Sequence, residues 1–188
     1  MLSEVKNSGK IKDLLILLAL QMGSEVSLQE LARKLQLHVV TVQKYLDLLE
    51  KTFVIFKLGG FSKNLRKEIS KSSKYYFFDL GIRNAVISNF RDLNLRDDTG
   101  ALWENYMVSE RKKQIMYQRK YVNLYFWRTY DQKEIDLIEE EDGRLRAYEF
   151  KWNDASKVRK PKLFLDTYPE STFFVVSPSS FIHDFLTS

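Results

Sequence analysis

Near residue 52 the hydrophobic period of this sequence changes, and that change narrows the available folds more than any other feature does. Before it, apolar residues recur at helical spacing. Residues 11–22, IKDLLILLALQM, place Ile11, Leu14, Leu15, Leu18 and Met22 on one helical face, and Gly23 ends the segment. Ser27-Leu28-Gln29-Glu30 has the form of a capping box, with a hydroxyl three residues ahead of a carboxylate. The helix it starts is expected to run to about Leu35, with Leu28, Leu31, Ala32 and Leu35 inward. In a third helix Val39, Val42, Leu46 and Leu49 share a face, from which Thr41, Gln43, Lys44 and Asp47 point away. After the change come FVIFKL (53–58) and KYYFFDL (74–80), whose β-branched and aromatic residues predict strands. The connecting segment carries Lys63, Arg66, Lys67 and Lys71 against a single acid, Glu68.

Three helices followed by a hairpin with a basic tip is winged helix-turn-helix order, expected over residues 1–90. In that arrangement Thr41, Gln43 and Lys44 would enter a major groove. Lys63, Arg66, Lys67 and Lys71 would touch phosphates. The third helix offers no arginine for bidentate contact with guanine, and many helix-turn-helix folds serve only as protein-protein spacers. Charge gives a first pointer towards nucleic acid. Residues 1–99 hold 16 Lys and Arg against 11 Asp and Glu, whereas residues 100–188 hold 14 of each, so the whole net charge of +5 sits in the first half.

Composition excludes several classes. The chain has no cysteine, which removes disulfide scaffolds, thiol catalysis and thiolate zinc sites. His38 and His183 are too isolated to form a histidine metal site. The longest apolar run, Leu14 to Leu20, is far short of the roughly 20 residues a bilayer span needs. The polar N-terminus does not read as a signal peptide, so no membrane partner and a cytoplasmic location are expected.

Residues 91–100, RDLNLRDDTG, have the composition of a linker. From 101 onward the pattern predicts a helix to about Gln118, then strands over 122–127, 134–140 and 145–152. Asp142-Gly143 reads as a hairpin turn between the last two. A partly helical segment, a strand over 172–177 and a short helix near Pro178 to Leu186 complete an α/β sandwich. Trp103, Trp127 and Trp152 are expected in the core. Arg111-Lys112-Lys113 is expected on a solvated face, and Glu139, Glu140, Glu141 and Asp142 at a solvated hairpin tip.

Strand alternation sends Tyr148, Phe150 and Trp152 one way and Glu149 and Lys151 the other, with Asp136 opposed to Ile135 and Leu137. If the hairpin pairs as its turn suggests, Asp136, Glu149 and Lys151 meet on one face. Charge there is costly unless paired or bound to a cation. Two carboxylates hold a hard divalent cation, Mg²⁺ with Mn²⁺ as substitute, through oxygen. A lysine beside them orients a water or steadies charge on phosphate. Arg128 and Glu134 flank this site and are candidates for contact with phosphate or with the lysine, or for a surface ion pair.

Asp136, twelve intervening residues, then Glu149-Phe150-Lys151 resembles the PD-(D/E)XK nuclease motif, with Ile135 in place of the proline. Such enzymes often add a glutamate from the first helix, and Glu104 in ALWENY matches that position. More broadly, VVTVQKYLDLLEKTFVIFKL, FSKNLRKEISKSSKYYFFDLGI, GALWENYMVSE, YFWRTYDQKEIDLI and YEFKW resemble the C-terminal region of a prokaryotic AAA-type ATPase family. The resemblance covers most of residues 10–152. It implies an α+β two-domain chain, with a winged helix-turn-helix joined to a restriction-endonuclease-like domain over 101–188. It also implies Glu104, Asp136, Glu149 and Lys151 as catalytic residues, with Asp136 and Glu149 as metal ligands. Nucleic acid, most simply DNA, and an AAA-type ATPase module are the implied partners. No GxxxxGK[ST] loop occurs and Ser8-Gly9-Lys10 runs into Ile11, so no ATP site is expected in this chain. The alternative is an inactive regulatory or interaction module of an ATPase. A regulator acting through the winged helix alone is a third reading.

Overall fold

Amphipathic helices at one end of the sequence and strands at the other are joined by one sheet. A computed structural model describes residues 8–62, 73–129, 132–154, 158–182 and 185. Lys63, Arg66, Lys67, Lys71 and His183 lie outside the described residues, as does part of the expected closing helix. The elements are α1 (Ser8–Leu20), β1 (Glu25–Val26), α2 (Leu28–Leu35), α3 (Val39–Lys51), β2 (Ile55–Gly60), β3 (Ser73–Phe77) and α4 (Leu80–Val86). After a 3-10 turn (Leu93–Leu95) come α5 (Thr99–Gln118), β4 (Asn123–Arg128), β5 (Glu134–Glu141), β6 (Arg144–Phe150), α6 (Lys162–Thr167) and β7 (Thr172–Val176). The chain is therefore α+β, with six helices and a seven-stranded mixed sheet among the described residues.

Local sequence accounts for many of the boundaries. Ser27 caps α2 by accepting a hydrogen bond from the Glu30 N–H at 3.3 Å. Asp142 and Gly143 both take positive φ, 50° and 78°, as a two-residue turn between β5 and β6 requires. Leu14, Leu18, Leu31, Leu35, Val42, Leu46 and Leu49 bury together in the helical end, as their spacing predicts.

Sheet order is β1-β3-β2-β4-β5-β6-β7, with β2 parallel to β4 and β6 parallel to β7. The β2–β3 hairpin is packed on both sides. Ile55, Tyr75 and Phe77 join the core of α1, α2 and α3, whereas Phe56, Leu58 and Tyr76 join the core beneath α5 with Met107, Val108 and Phe126. Every residue of β3 is consequently buried. A third core, with Trp127, Ile135, Ile138, Ala147 and Phe164, lies under α6.

The segment 91–100 is more tightly held than a linker composition suggests. Arg83 donates to the Ala19 carbonyl of α1 at 3.0 Å and to Asp98 at 2.5 Å, and Arg96 donates to Asp98 at 2.8 Å. Residues 99 and 100 already belong to α5.

Three expectations are corrected by packing. Glu139 is not at a solvated tip. It lies within β5, fully buried, and accepts a bidentate pair from Arg111 at 2.5 and 2.9 Å. Arg111 is accordingly buried rather than solvated. Trp103 and Trp127 are core, but Trp152 lies past the end of β6, is 41% exposed and meets Trp103 edge-on.

Candidate functional site

The candidate site forms where β5 and β6 part. Their ladder is regular from Glu141↔Arg144 to Leu137↔Tyr148 and stops there. On its other side β5 carries one extra residue. Tyr125 pairs with Ile138 and Trp127 with Ile135, so Asp136 and Leu137 together oppose Phe126. This is a β-bulge, a device that bends a strand and re-aims a side chain. It overturns the plain alternation read from the sequence. Ile135 packs under α6 while Leu137 packs under α5. Asp136, at the bulge, takes the Phe150 N–H on its Oδ2 at 2.8 Å.

Around Asp136 the structure gathers the other predicted site residues. Lys151 donates to Glu149 at 2.7 Å. Glu104 accepts from the Tyr76 hydroxyl at 2.6 Å and pairs with Lys74 at 3.2 Å. Glu104 is placed by its neighbour. The buried Asn105 amide accepts from the Phe77 N–H and donates to the Phe77 carbonyl, both at 2.8 Å, which fixes α5 against β3. Gly23 closes the site from the N-terminal half. It has φ +77°, and a Cβ there would stand 3.1 Å from Glu104 Oε2, so a side chain would be strained and crowded at once.

Three members escaped the sequence reading. Sequence pattern marks Lys74 and Tyr76 only as strand residues, yet Lys74 is 1% exposed and bridges Glu104 and Glu134. The available signal was a lysine followed by aromatic residues in a predicted strand, since an ammonium buried there needs carboxylates. Gly23 has only the sequence signature of a helix stop. Glu134 also faces Arg128 at 3.7 Å, and Arg128 reaches Glu25 of β1 at 3.1 Å. Of the predicted groove residues on α3, Gln43 and Lys44 are exposed and Thr41 is half-buried, and none of them is among the partners of this cluster given above.

The site gathers more carboxyl groups than cations. Glu104, Glu134, Asp136 and Glu149 are set against Lys74, Lys151 and the partly exposed Arg128. Burial, then the nearby Glu104 and Glu149 carboxylates, push the Asp136 carboxyl well above its ordinary value, against the pull of the Phe150 N–H and Lys74. Burial works to strip the Lys74 proton, but Glu104 and Glu134 outweigh it and raise its pKa. Burial and then Glu104 hold the Tyr76 hydroxyl protonated well above the usual phenol range. Among the described residues no group of three or more His, Cys, Asp and Glu is arranged as a metal-ligand cluster. The Asp136 and Glu149 carboxyls are nonetheless the donor type Mg²⁺ takes, since it keeps several waters and needs only one or two protein carboxylates.

This fold and site stand in a chain that matches two family models. Residues 1–95 match a domain of unknown function (DUF8612) and residues 99–185 match another (DUF4143). The chain belongs to the DUF8612 family, whose model covers half of it. The uncharacterized proteins Rv2008c of Mycobacterium tuberculosis and Mb2031c of Mycobacterium bovis are each 31% identical over 131 residues, 69% of this chain and 29% of theirs. The chain thus spans less than a third of the length of these relatives. No solved structure matches it. No described helix is long and apolar enough to cross a membrane.

Proposed function

We propose that the chain is a nucleic-acid-interacting module of an AAA-type ATPase family, with a Mg²⁺-dependent phosphodiesterase site at Asp136 and Glu149. The observation that carries this reading is the β5 bulge, which brings Asp136 beside Glu149 and Glu104 where the strands part. DUF4143 domains are typically found in AAA-ATPase-associated proteins, which supports the ATPase context. The order α1-β1-α2-α3-β2-β3, with β1-β3-β2 adjacent, supports a winged helix. The run α5-β4-β5-β6-α6-β7 supports a nuclease-like second unit.

In this reading Asp136 and Glu149 hold the cation and Glu104 is an accessory ligand or an acid behind it. Bound Mg²⁺ would supply Lewis-acid activation of water and neutralise phosphate charge. Lys151, paired with Glu149, orients the attacking water or steadies charge on the phosphate. Lys74 and Tyr76 hold the Glu104 carboxyl in place. Thr41, Gln43 and Lys44 on α3, with Lys63, Arg66, Lys67 and Lys71, would engage the duplex.

One observation favours a second reading, an ATPase module that does not hydrolyse. Each carboxylate of the site already has a partner in the chain: Glu104 has Lys74 and Tyr76, Glu149 has Lys151, and Asp136 has the Phe150 N–H. Calorimetric titration with Mg²⁺ and Mn²⁺, with oligonucleotide present, separates the two. The nuclease reading expects cation uptake by the wild type and none by D136A/E149A, with plasmid or oligonucleotide cleavage lost in E149A. Cleavage unchanged in E149A, or no cation uptake by the wild type, overturns it.

A further inference from the structure

A cavity of about 690 Å³ opens at the opposite end of β2 and β4 from the carboxylate cluster, beside the C-terminus of α5. Four cations line it: Lys57 of β2, Lys112 of α5, and Arg119 and Lys120 just past that helix. Among the described residues no carboxylate lies within ion-pair distance of any of them. Tyr121, 98% exposed, stands on the rim.

Cations gather at helix C-termini to meet the dipole, which accounts for Arg119 and Lys120. It does not account for Lys57, which is on a strand, or for Lys112, six residues before the helix ends. Lys112 is half-buried with its Nζ 5.2 Å from the centre of the Phe56 ring. Burial lowers its pKa, so it holds its charge at a cost that an anion in the cavity would repay. Glu50 stands near Lys57 and Lys112 without ion-pair contact, and burial pushes its carboxyl upward, which weakens it as their counter-charge. A cavity of this volume, with unpaired cations and an exposed aromatic ring, has the makings of a phosphate-and-base site.

We propose that this groove binds the backbone of a single nucleic-acid strand, with Lys57, Lys112, Arg119 and Lys120 on phosphates and Tyr121 stacked on a base. It is separate from the carboxylate site and does not depend on cleavage there. The test is fluorescence anisotropy of a labelled oligo(dT) of about fifteen nucleotides, read across a NaCl series. K57A/R119A/K120A replaces exposed side chains and should keep the wild-type melting temperature. It is expected to weaken binding about tenfold or more and to reduce the log–log salt slope by about 2, at about 0.7 per lost phosphate contact. Y121A is expected to weaken binding about fivefold or more with the salt slope unchanged, because stacking releases no counterions, and Y121F to restore it. D136A/E149A is expected to bind the strand as wild type does, which keeps this groove distinguishable from the proposed nuclease site. Wild-type affinity and slope in the triple variant overturn the proposal. Displacement of the strand by deoxythymidine monophosphate at equal nucleotide concentration also overturns it, in favour of a free-nucleotide site.

Discussion

Two clusters of buried charge lie seven residues apart on α5 and three residues apart on β5, and they are built to opposite plans. Arg111 and Glu139 form a closed pair. One guanidinium meets one carboxylate through two hydrogen bonds, and its other donors reach the Phe185 carbonyl and Gln114, while Glu139 also takes the Tyr148 hydroxyl at 3.3 Å and lies 3.5 Å from Arg146. Near Glu104 and Asp136 the cluster stays open, with four carboxyl groups crowded against two lysines and a partly exposed arginine, so that Asp136 is pushed to hold its proton. A closed pair behaves as a joint between helix and sheet. An open cluster holds like charges together at a cost to folding, and that arrangement is common where a cation or substrate completes the site.

The largest effect expected from this contrast is at the joint. R111L leaves the buried Glu139 carboxylate only the Tyr148 hydroxyl and the more distant, partly exposed Arg146, and should cost about 3 kcal/mol in urea unfolding. R111L/E139L, which removes both charges, should recover most of that loss. A midpoint unmoved in R111L would break the distinction between joint and site. Next is K74M, which leaves Glu104 and Glu134 without their shared cation. Its cost should be about 2–3 kcal/mol, below the figure for a fully buried pair because Glu134 reaches solvent. Cation binding that survives in K74M would mean that Lys74 only supports the fold.

The smallest effect is the most diagnostic, because the two kinds of carboxyl should give opposite pH slopes. Arg96 and then Arg83 hold the Asp98 carboxyl well below its ordinary value of 3.8. Its contribution is complete above that value and is lost as pH falls below it. Asp136 is raised instead, so the folded state keeps its proton to higher pH than the unfolded chain does. Stability should therefore fall as pH rises from 3.8 towards the folded value. D98N should flatten the acid side of the melting profile. D136N should flatten the descending side, with a gain on the order of 1 kcal/mol near neutral pH, about 2–4 °C. Parallel profiles for D98N and D136N would remove the ground for calling the second cluster open.

Much of the local structure was legible in the sequence because its causes are local. The Ser27 cap, the helical faces of Leu14, Leu31 and Leu46, and the Asp142-Gly143 turn depend on residues a few positions apart. That Asp136, Glu149 and Lys151 come close was legible too, from a hairpin with a readable turn, but the plain alternation behind that expectation gives way to the β5 bulge. Lys74 and Gly23 were not, because their partner Glu104 lies 30 and 81 residues away along the chain. The burial of Glu139 was hidden for the same reason, since an acidic run near a turn looks solvated until Arg111 is known to cross it.

The sequence by itself determined the order of helices and strands, the turn that closes β5 on β6, and which carboxylates could approach one another. Only the tertiary structure decided that the β2–β3 hairpin joins the sheet of the second half, through Gly59↔Tyr125 and Gly60↔Phe126. It alone placed the bulge that turns Asp136 away from plain alternation. Periodicity reports which face of an element is apolar, whereas strand adjacency and a one-residue slip in register arise from the packing of the whole sheet.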